Sequence, residues 1–252
     1  MVSRKEIEDF LKTNTMQRTI EKYDKLIIAK NNPTLSIWFC HTVIGADIKS
    51  HEKIVLNSSN PRDYYNFAKL VKGANVKLLK EKALSSKDKN FILLFATNFS
   101  EYGIDAEQEF IMKFNDPEDA FTLAKIAGSD TKRLEQIVLN SNDYRTAYSF
   151  ACEIEGANIQ ALEDMVVKSK DPVYIFLFAK DVVGANKARL LKTLIEIGNP
   201  NYIVDYSVEV EEVEYNIIKN LEFNDPITNE TMHNYCSYKK YVKSARKRAN
   251  AS

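Results

Sequence analysis

The chain has 252 residues, and its 35 basic side chains are matched by 35 acidic ones. This balance excludes a protein-wide field that attracts nucleic acid or an acidic membrane, so a charge-driven partner must be bound by a local patch. The three cysteines lie far apart, the first residues lack the apolar core of a signal peptide, and no apolar run reaches the roughly 20 residues of a membrane-spanning helix. We therefore expect a soluble, cytoplasmic protein.

An internal repeat with a period of 28 residues organises most of the sequence. A proline marks the start of the repeat at Pro33, Pro61, Pro117, Pro172 and Pro200. Behind each start comes a large residue followed by a small one, at Phe39-Cys40, Phe67-Ala68, Phe95-Ala96, Leu123-Ala124, Phe150-Ala151, Phe178-Ala179 and Tyr206-Ser207. A Gly-x-Asp or Gly-x-Asn tripeptide follows, at Gly45/Asp47, Gly73/Asn75, Gly103/Asp105, Gly128/Asp130, Gly156/Asn158 and Gly184/Asn186.

These markers predict two short helices in each repeat. Asn or Asp directly before a proline is the arrangement of an N-cap followed by Pro at the first helical position, so the first helix begins there. The glycine suits a left-handed residue that ends the first helix, and the Asp or Asn two positions later caps the second helix. Apolar residues recur at three- and four-residue spacing in both helices, which gives each helix one buried face.

In chain order, we expect an N-terminal capping segment at residues 1–32, tandem repeats at 33–223, and a C-terminal capping helix with a basic face at 224–252. The repeats begin near residues 33, 61, 89, 117, 144, 172 and 200. The third repeat departs from the pattern, because Lys89 replaces the proline and Gly103 comes two places late. We expect a local irregularity there.

Helices of roughly ten residues are marginal in water, so each hairpin must bury its apolar face on its neighbours. The sequence therefore predicts an all-α fold: a right-handed αα superhelix, or solenoid, of about seven 28-residue helix-turn-helix repeats. This architecture resembles the general class of αα solenoids, such as HEAT and TPR proteins, over essentially the whole chain. Their consensus residues and longer periods are not found, so the resemblance implies architecture alone.

No pattern in the sequence indicates catalysis, and we predict no catalytic, cofactor-binding or metal-binding residues. Glycine-rich phosphate loops, the G-x-S-x-G nucleophile motif, H-E-x-x-H and C-x-x-C are all missing from the sequence. Cys40 occupies the small-residue position of its repeat, where a free cysteine packs as a small hydrophobe. His51 stands where other repeats place leucine, which favours a buried, hydrogen-bonded histidine over a catalytic one. An enzyme with a site assembled from distant residues stays open as a third hypothesis.

The leading hypothesis is a non-catalytic scaffold that binds a protein or peptide on its concave or lateral surface. Candidate anchors are Trp38, Tyr174 and Tyr202, although packing against the adjacent helix is an alternative for each. The second hypothesis is nucleic-acid binding by lysines of the second helices and by the basic C-terminal helix. Its residues are Lys49, Lys77, Lys132, Lys239, Lys240, Lys243, Arg246, Lys247 and Arg248. The basic helix alternatively only caps the repeats, because cations stabilise a helix C-terminus.

Overall fold

The computed structural model describes residues 14–210, and this part of the chain is all-helical, without β-strands. The all-α prediction is confirmed for these residues. The C-terminal capping helix and its basic residues lie outside them. In chain order the helices are α1 (Asn14–Ala29), α2 (Pro33–Thr42), α3 (Ile48–Leu56), α4 (Pro61–Leu70), α5 (Val76–Ser86), α6 (Lys89–Asn98), α7 (Asp105–Ile111), α8 (Pro117–Ala124), α9 (Thr131–Ser141), α10 (Tyr144–Glu153), α11 (Ile159–Ser169), α12 (Pro172–Asp181), α13 (Lys187–Ile197) and α14 (Pro200–Glu209).

Side-chain caps start most of these helices, as the sequence predicts. The Asn32 side chain accepts a hydrogen bond from the backbone N–H of Leu35, and Asn75 does the same for Leu78 at the start of α5. Asp105 is an exception, because it is the first residue of α7 and Ile104 precedes it without a side-chain cap. The prediction of a cap at Asp105 is therefore wrong, and the late Gly103 displaces the start of the helix.

The glycines adopt positive φ, but they do not end the first helices directly. Helix α4 ends at Leu70, the buried Val71 caps it in an extended conformation, and Gly73 follows in the turn with φ of 94°. Several second helices end in left-handed residues, whereas α3 and α7 are followed by right-handed ones. Lys87 closes α5 with φ of 59°, and Lys170 closes α11 with φ of 56°. The sequence did not suggest these positions, because lysine carries no preference for left-handed backbone.

The helices pack into two compact units, with α8 divided between them. Among the described residues, the N-terminal unit holds 14–115 and 122–130, and the C-terminal unit holds 116–121 and 131–210. In each unit, helices pack in neighbouring pairs, and first helices also contact the first helices of adjacent repeats. The large residue of the sequence signature fills the core, since the fully buried side chains include Phe67, Phe95, Leu123, Phe150, Phe178 and Tyr206.

A row of buried polar side chains on the second helices ties each repeat to the next one. The Glu52 carboxylate, on α3, accepts a hydrogen bond of 2.6 Å from the backbone N–H of Asn75, the residue that caps α5. Equivalent bonds join Asp24 to the N–H of Asp47, Gln108 to Asp130, Glu135 to Asn158, and Glu163 to Asn186. We call these five acceptors, with Lys80 at the same position, the polar ladder. Each of these bonds gives a backbone partner to a buried polar side chain that is costly to leave unpaired.

The bond between the second and third repeats runs in the opposite direction, with the side chain as donor. Lys80 takes the place of the acceptor and donates a hydrogen bond to the carbonyl oxygen of Gly103. Its ammonium also lies 3.4 Å from the Glu107 carboxylate, and both side chains are almost fully buried. A 3₁₀ turn at residues 100–102 precedes Gly103 and a second one at 112–114 follows α7, so the predicted irregularity is present. The turn presents a carbonyl rather than an N–H, and a cationic donor replaces the carboxylate for that reason.

Candidate interaction face

The first helices of the N-terminal unit, α2, α4 and α6, expose one side each. Four positions of the repeat lie within about 100° of arc on a helix that turns 100° per residue. We call the residues at these positions the N-terminal outer face. They are Thr34, Trp38, His41 and Thr42 on α2, Arg62, Asn66, Lys69 and Leu70 on α4, and Asn90, Leu94, Thr97 and Asn98 on α6. All of them are exposed except the half-buried Asn66.

Large apolar side chains are exposed on every helix of this face. Trp38 is 58% exposed, Leu70 42% and Leu94 37%. The helices are directly packed, and the His41 ring lies 2.9 Å from the carbonyl oxygen of Leu70, through its Nδ1 atom. The three apolar side chains therefore stand on adjacent helices of one surface. Apolar residues that recur in this way on neighbouring elements are typical of a protein interaction site.

The electrostatics of the N-terminal outer face are one-sided. It carries the cations Arg62 and Lys69 and no carboxylate. The nearest acidic residue in sequence, Asp63, is half-buried and accepts a hydrogen bond of 2.6 Å from the Ser58 hydroxyl. Lys69 lies over the Tyr65 ring, 5.5 Å from its centroid. Among residues 14–210, no carboxylate forms an ion pair with Arg62 or Lys69.

The same repeat positions in the C-terminal unit carry four carboxylates as well as the cations Arg145 and Lys180. They place Glu153, Asp181, Asp205 and Glu209 on α10, α12 and α14, and we call this surface the C-terminal outer face. Lys180 pairs with Glu209. Burial, followed by the charge of the neighbouring Glu209, raises the pKa of the Asp205 carboxyl. Carboxylates crowd together here, whereas the equivalent side of the N-terminal unit has none.

Tyr174 and Tyr202 are half-buried and make ring contacts between helices. The Tyr174 ring lies edge-on to Tyr144 and Tyr148, at centroid distances of 5.3 and 5.6 Å. The Tyr202 ring lies 6.1 Å from that of Phe176. Of the three predicted anchors, only Trp38 is more exposed than buried. The two tyrosines pack between helices, and their role as partner anchors stays a prediction.

The predicted lysines of the second helices are exposed. Lys49 on α3 and Lys77 on α5 lie in the N-terminal unit, and Lys132 lies in the C-terminal unit. Gln160 and Ala188 occupy the same position in later repeats, so the row of lysines is not continued. The lysines and arginines at residues 239–248 lie outside the described residues.

One cluster has the residue types of a hydrolase triad but not its accessibility. The His51 ring donates from Nε2 to Asp24 at 3.0 Å, and its Nδ1 atom lies 3.1 Å from the Ser36 hydroxyl. Ser36 and His51 are fully buried, and Asp24 is 6% exposed. A nucleophile must reach its substrate, so this Ser–His–Asp cluster is structural. It belongs to the polar ladder, because Asp24 also accepts from the N–H of Asp47.

The remaining chemistry-bearing side chains lie apart from one another. Cys40 and Cys152 are free thiols; burial and nearby carboxylates raise the pKa of Cys40 to about 12. In the described part of the chain, no group of three or more His, Cys, Asp or Glu residues is placed to hold a metal ion. Within residues 14–210, no helix is long and apolar enough to cross a membrane.

Two open cavities are lined by second helices. One, of about 610 Å³, lies in the C-terminal unit beside Leu139, Tyr144 and Met165. Asp164 also lines this cavity, and a hydrogen bond from the Arg189 guanidinium lowers the pKa of its carboxyl group. The other, of about 300 Å³, lies beside the inverted Lys80 rung. Neither cavity is lined by a histidine or a cysteine.

The outer face was missed by sequence reasoning except for Trp38. The signal was present, because the four exposed positions can be read once the repeat register is known.

Compared with family models, with curated proteins and with solved structures, the chain matches none.

Proposed function

We propose that the protein is a non-catalytic helical-repeat scaffold whose N-terminal outer face binds a protein or peptide partner. The observation that carries the proposal is the exposure of Trp38, at 58%, beside Leu70 and Leu94 on packed helices. Tryptophan is the residue type most enriched among those that dominate binding energy at interfaces. Burying large apolar side chains stabilises a complex by about 25 cal/mol per Å² of apolar surface, which favours a partner over water at this face.

The architecture that we propose for this scaffold is a right-handed superhelix of about seven repeats in a cytoplasmic protein. It is supported by the 28-residue period, by helices that start at the predicted residues and by the polar ladder, which links one repeat to the next. Repeats that contact mainly their neighbours present long surfaces for binding, and scaffolds use such surfaces.

Site-specific photocrosslinking tests the proposed function. A photoreactive amino acid replaces Trp38, and a matched variant carries it at Ser149, the same repeat position on the C-terminal outer face. In native cells, we expect discrete protein adducts from position 38 that are not formed from position 149. Loss of these adducts in a Leu70→Asp chain that keeps its helical circular dichroism spectrum links them to the face. Identical adduct patterns from both positions, or none from position 38, contradict the proposal.

Nucleic-acid binding is the second candidate, and the exposure of Lys49 and Lys77 at one repeat position favours it. The two lysines lie on second helices of adjacent repeats in the N-terminal unit, so phosphate groups have access to both. The expected result is binding of a labelled single or double strand that weakens steeply with added salt and in a Lys49→Glu/Lys77→Glu chain. Absence of binding at low salt excludes this candidate.

A further inference from the structure

We propose that the partner segment bound by the N-terminal outer face is an extended peptide that combines aliphatic side chains with carboxylates. This inference rests on the proposed function and names the chemistry of its partner. Three features of the face carry it: the pattern of apolar and polar side chains, the two cations without a carboxylate partner, and the lack of carboxylates.

Apolar and polar side chains alternate across the face. At one repeat position the residues on α2, α4 and α6 are Trp38, Asn66 and Leu94, and one turn further along they are Thr42, Leu70 and Asn98. An amide both donates and accepts, so Asn66 can bond to the backbone of a bound peptide, while the apolar side chains contact the side chains of the peptide. The Asn98 amide already donates to the Leu94 carbonyl oxygen and the Thr97 hydroxyl, so it offers its oxygen as an acceptor.

The spacing of the helices suits an extended segment. Packed helices lie roughly 8 to 10 Å apart, and every third residue of an extended polyproline II segment recurs at about 9.3 Å. A peptide that crosses the helices can therefore present same-side residues to Trp38 and, two helices away, to Leu94, with Leu70 one turn to the side.

The charges decide which peptide fits. Arg62 and Lys69 stand beside the apolar residues of α4 without a carboxylate partner among residues 14–210. Carboxylates on a partner gain an ion pair here, whereas lysines meet only like charge. Fixed contacts of Lys69 with the Tyr65 ring and hydroxyl, at 5.5 Å and 3.5 Å, hold its ammonium near the face.

A nucleic acid fits the face less well. Two cations neutralise about two phosphates, which gives a weak electrostatic contribution. Single strands also need flat side chains on which bases stack. Besides the His41 imidazole, Trp38 is the only aromatic ring on the face, and bases cannot stack on the aliphatic side chains of Leu70 and Leu94. The observations therefore favour an acidic, aliphatic peptide.

Trp38 is the sole tryptophan, so its fluorescence reports binding at this face directly. The probes are three synthetic peptides of equal length in which leucine alternates with Asp, Asn or Lys. At low salt, we expect the Leu–Asp peptide to shift the Trp38 emission and to bind about tenfold more tightly than the Leu–Asn peptide, an effect that added salt removes. The Leu–Lys peptide is expected to leave the emission unchanged.

Charge-reversal variants make the test specific. Arg62→Glu/Lys69→Glu should invert the preference, so that the Leu–Lys peptide binds and the Leu–Asp peptide does not. A matched Lys49→Glu/Lys77→Glu chain, reversed on the second helices, should keep the preference for Leu–Asp. Because all four side chains are exposed, the reversals should leave the helical circular dichroism spectrum unchanged.

Equal binding of the Asp and Lys peptides, binding of none of the three, or tighter binding of an unstructured oligonucleotide at Trp38 overturns the inference. Crosslinked protein adducts from position 38, together with a failed peptide preference, show that the partner chemistry is wrong while the proposed function stands. Absence of those adducts removes the proposed function itself.

Discussion

Breaking one rung of the polar ladder should weaken the fold by an amount that the structure allows us to estimate. The Glu163 carboxylate is 1% exposed, and it accepts bonds of 2.7 Å from the Asn186 N–H and 3.3 Å from the Arg189 guanidinium. Glu163→Leu keeps a similar volume but removes the acceptor of the Asn186 N–H. Hydrogen bonds to a charged group contribute roughly 1.5 to 3 kcal/mol, so we expect the free energy of unfolding to fall by about 2 kcal/mol.

A natural comparison exists within the chain. Gln108 occupies the equivalent position and accepts a bond of 3.0 Å from the Asp130 N–H, so a neutral amide can form the rung. Glu163→Gln should therefore cost less than about 1 kcal/mol. As a matched control, Glu196→Leu removes a carboxylate that is 63% exposed on α13 and should change stability by less than about 0.5 kcal/mol.

Urea denaturation followed by circular dichroism measures all three variants. We expect stability to decrease in the order wild type, Glu163→Gln, Glu163→Leu, with the control close to wild type. If Glu163→Gln lowers the free energy of unfolding as much as Glu163→Leu, the stabilisation comes from the charge of Glu163 and not from the hydrogen bond that it accepts. If Glu163→Leu is as stable as wild type, the ladder contributes nothing to holding the repeats together.

Three further changes test other parts of the structure. Lys80→Met and Glu107→Leu should each lower the free energy of unfolding by about 3 kcal/mol, because each leaves a buried charge without its partner. The double variant should recover at least half of the summed loss, which a double-mutant cycle in urea denaturation measures. Losses that simply add contradict a buried ion pair. Lys170→Gly should raise the free energy of unfolding by about 0.5 to 1 kcal/mol, because glycine adopts left-handed backbone without strain. Lys168→Gly within α11 should lower it by about 1 kcal/mol. A loss of stability at both positions refutes the left-handed conformation assigned to Lys170. Asp205→Asn should stabilise the chain at pH 7, because a raised pKa means that ionisation opposes folding. Water screens this exposed carboxyl, so the gain should be only about 0.5 kcal/mol in urea denaturation, and it should vanish below about pH 4; a gain that persists in acid argues against this cause.

The hairpin pattern could be predicted from the sequence because its signals are local. An Asn–Pro pair or a Gly-x-Asn tripeptide acts within one turn of backbone, so Asn32 and Asn75 could be assigned as caps without knowing what surrounds them. The buried aromatic residues, such as Phe67 and Phe150, followed from helical periodicity in the same way.

The polar ladder could not be predicted with equal ease, because its bonds join residues about 23 positions apart. A glutamate such as Glu52 on a helix reads as a solvated residue until its partner in the next repeat is known. Its recurrence at Glu135 and Glu163 was a usable signal that periodic alignment of polar residues would have found. The exposure of a side chain also depends on residues far away in the sequence. Trp38 and Tyr174 were both predicted as anchors, and Tyr174 is half-buried because the Tyr144 ring lies against it.

Both proposals depend on an exposed aromatic ring that lies on a cationic face without carboxylates. Quenching of the Trp38 fluorescence tests this directly. We expect emission close to that of tryptophan in water and stronger quenching by iodide than by caesium, with the difference reduced in the Arg62→Glu/Lys69→Glu chain. Emission typical of a buried ring, or quenching by caesium that equals or exceeds quenching by iodide, would contradict the assignment of this face.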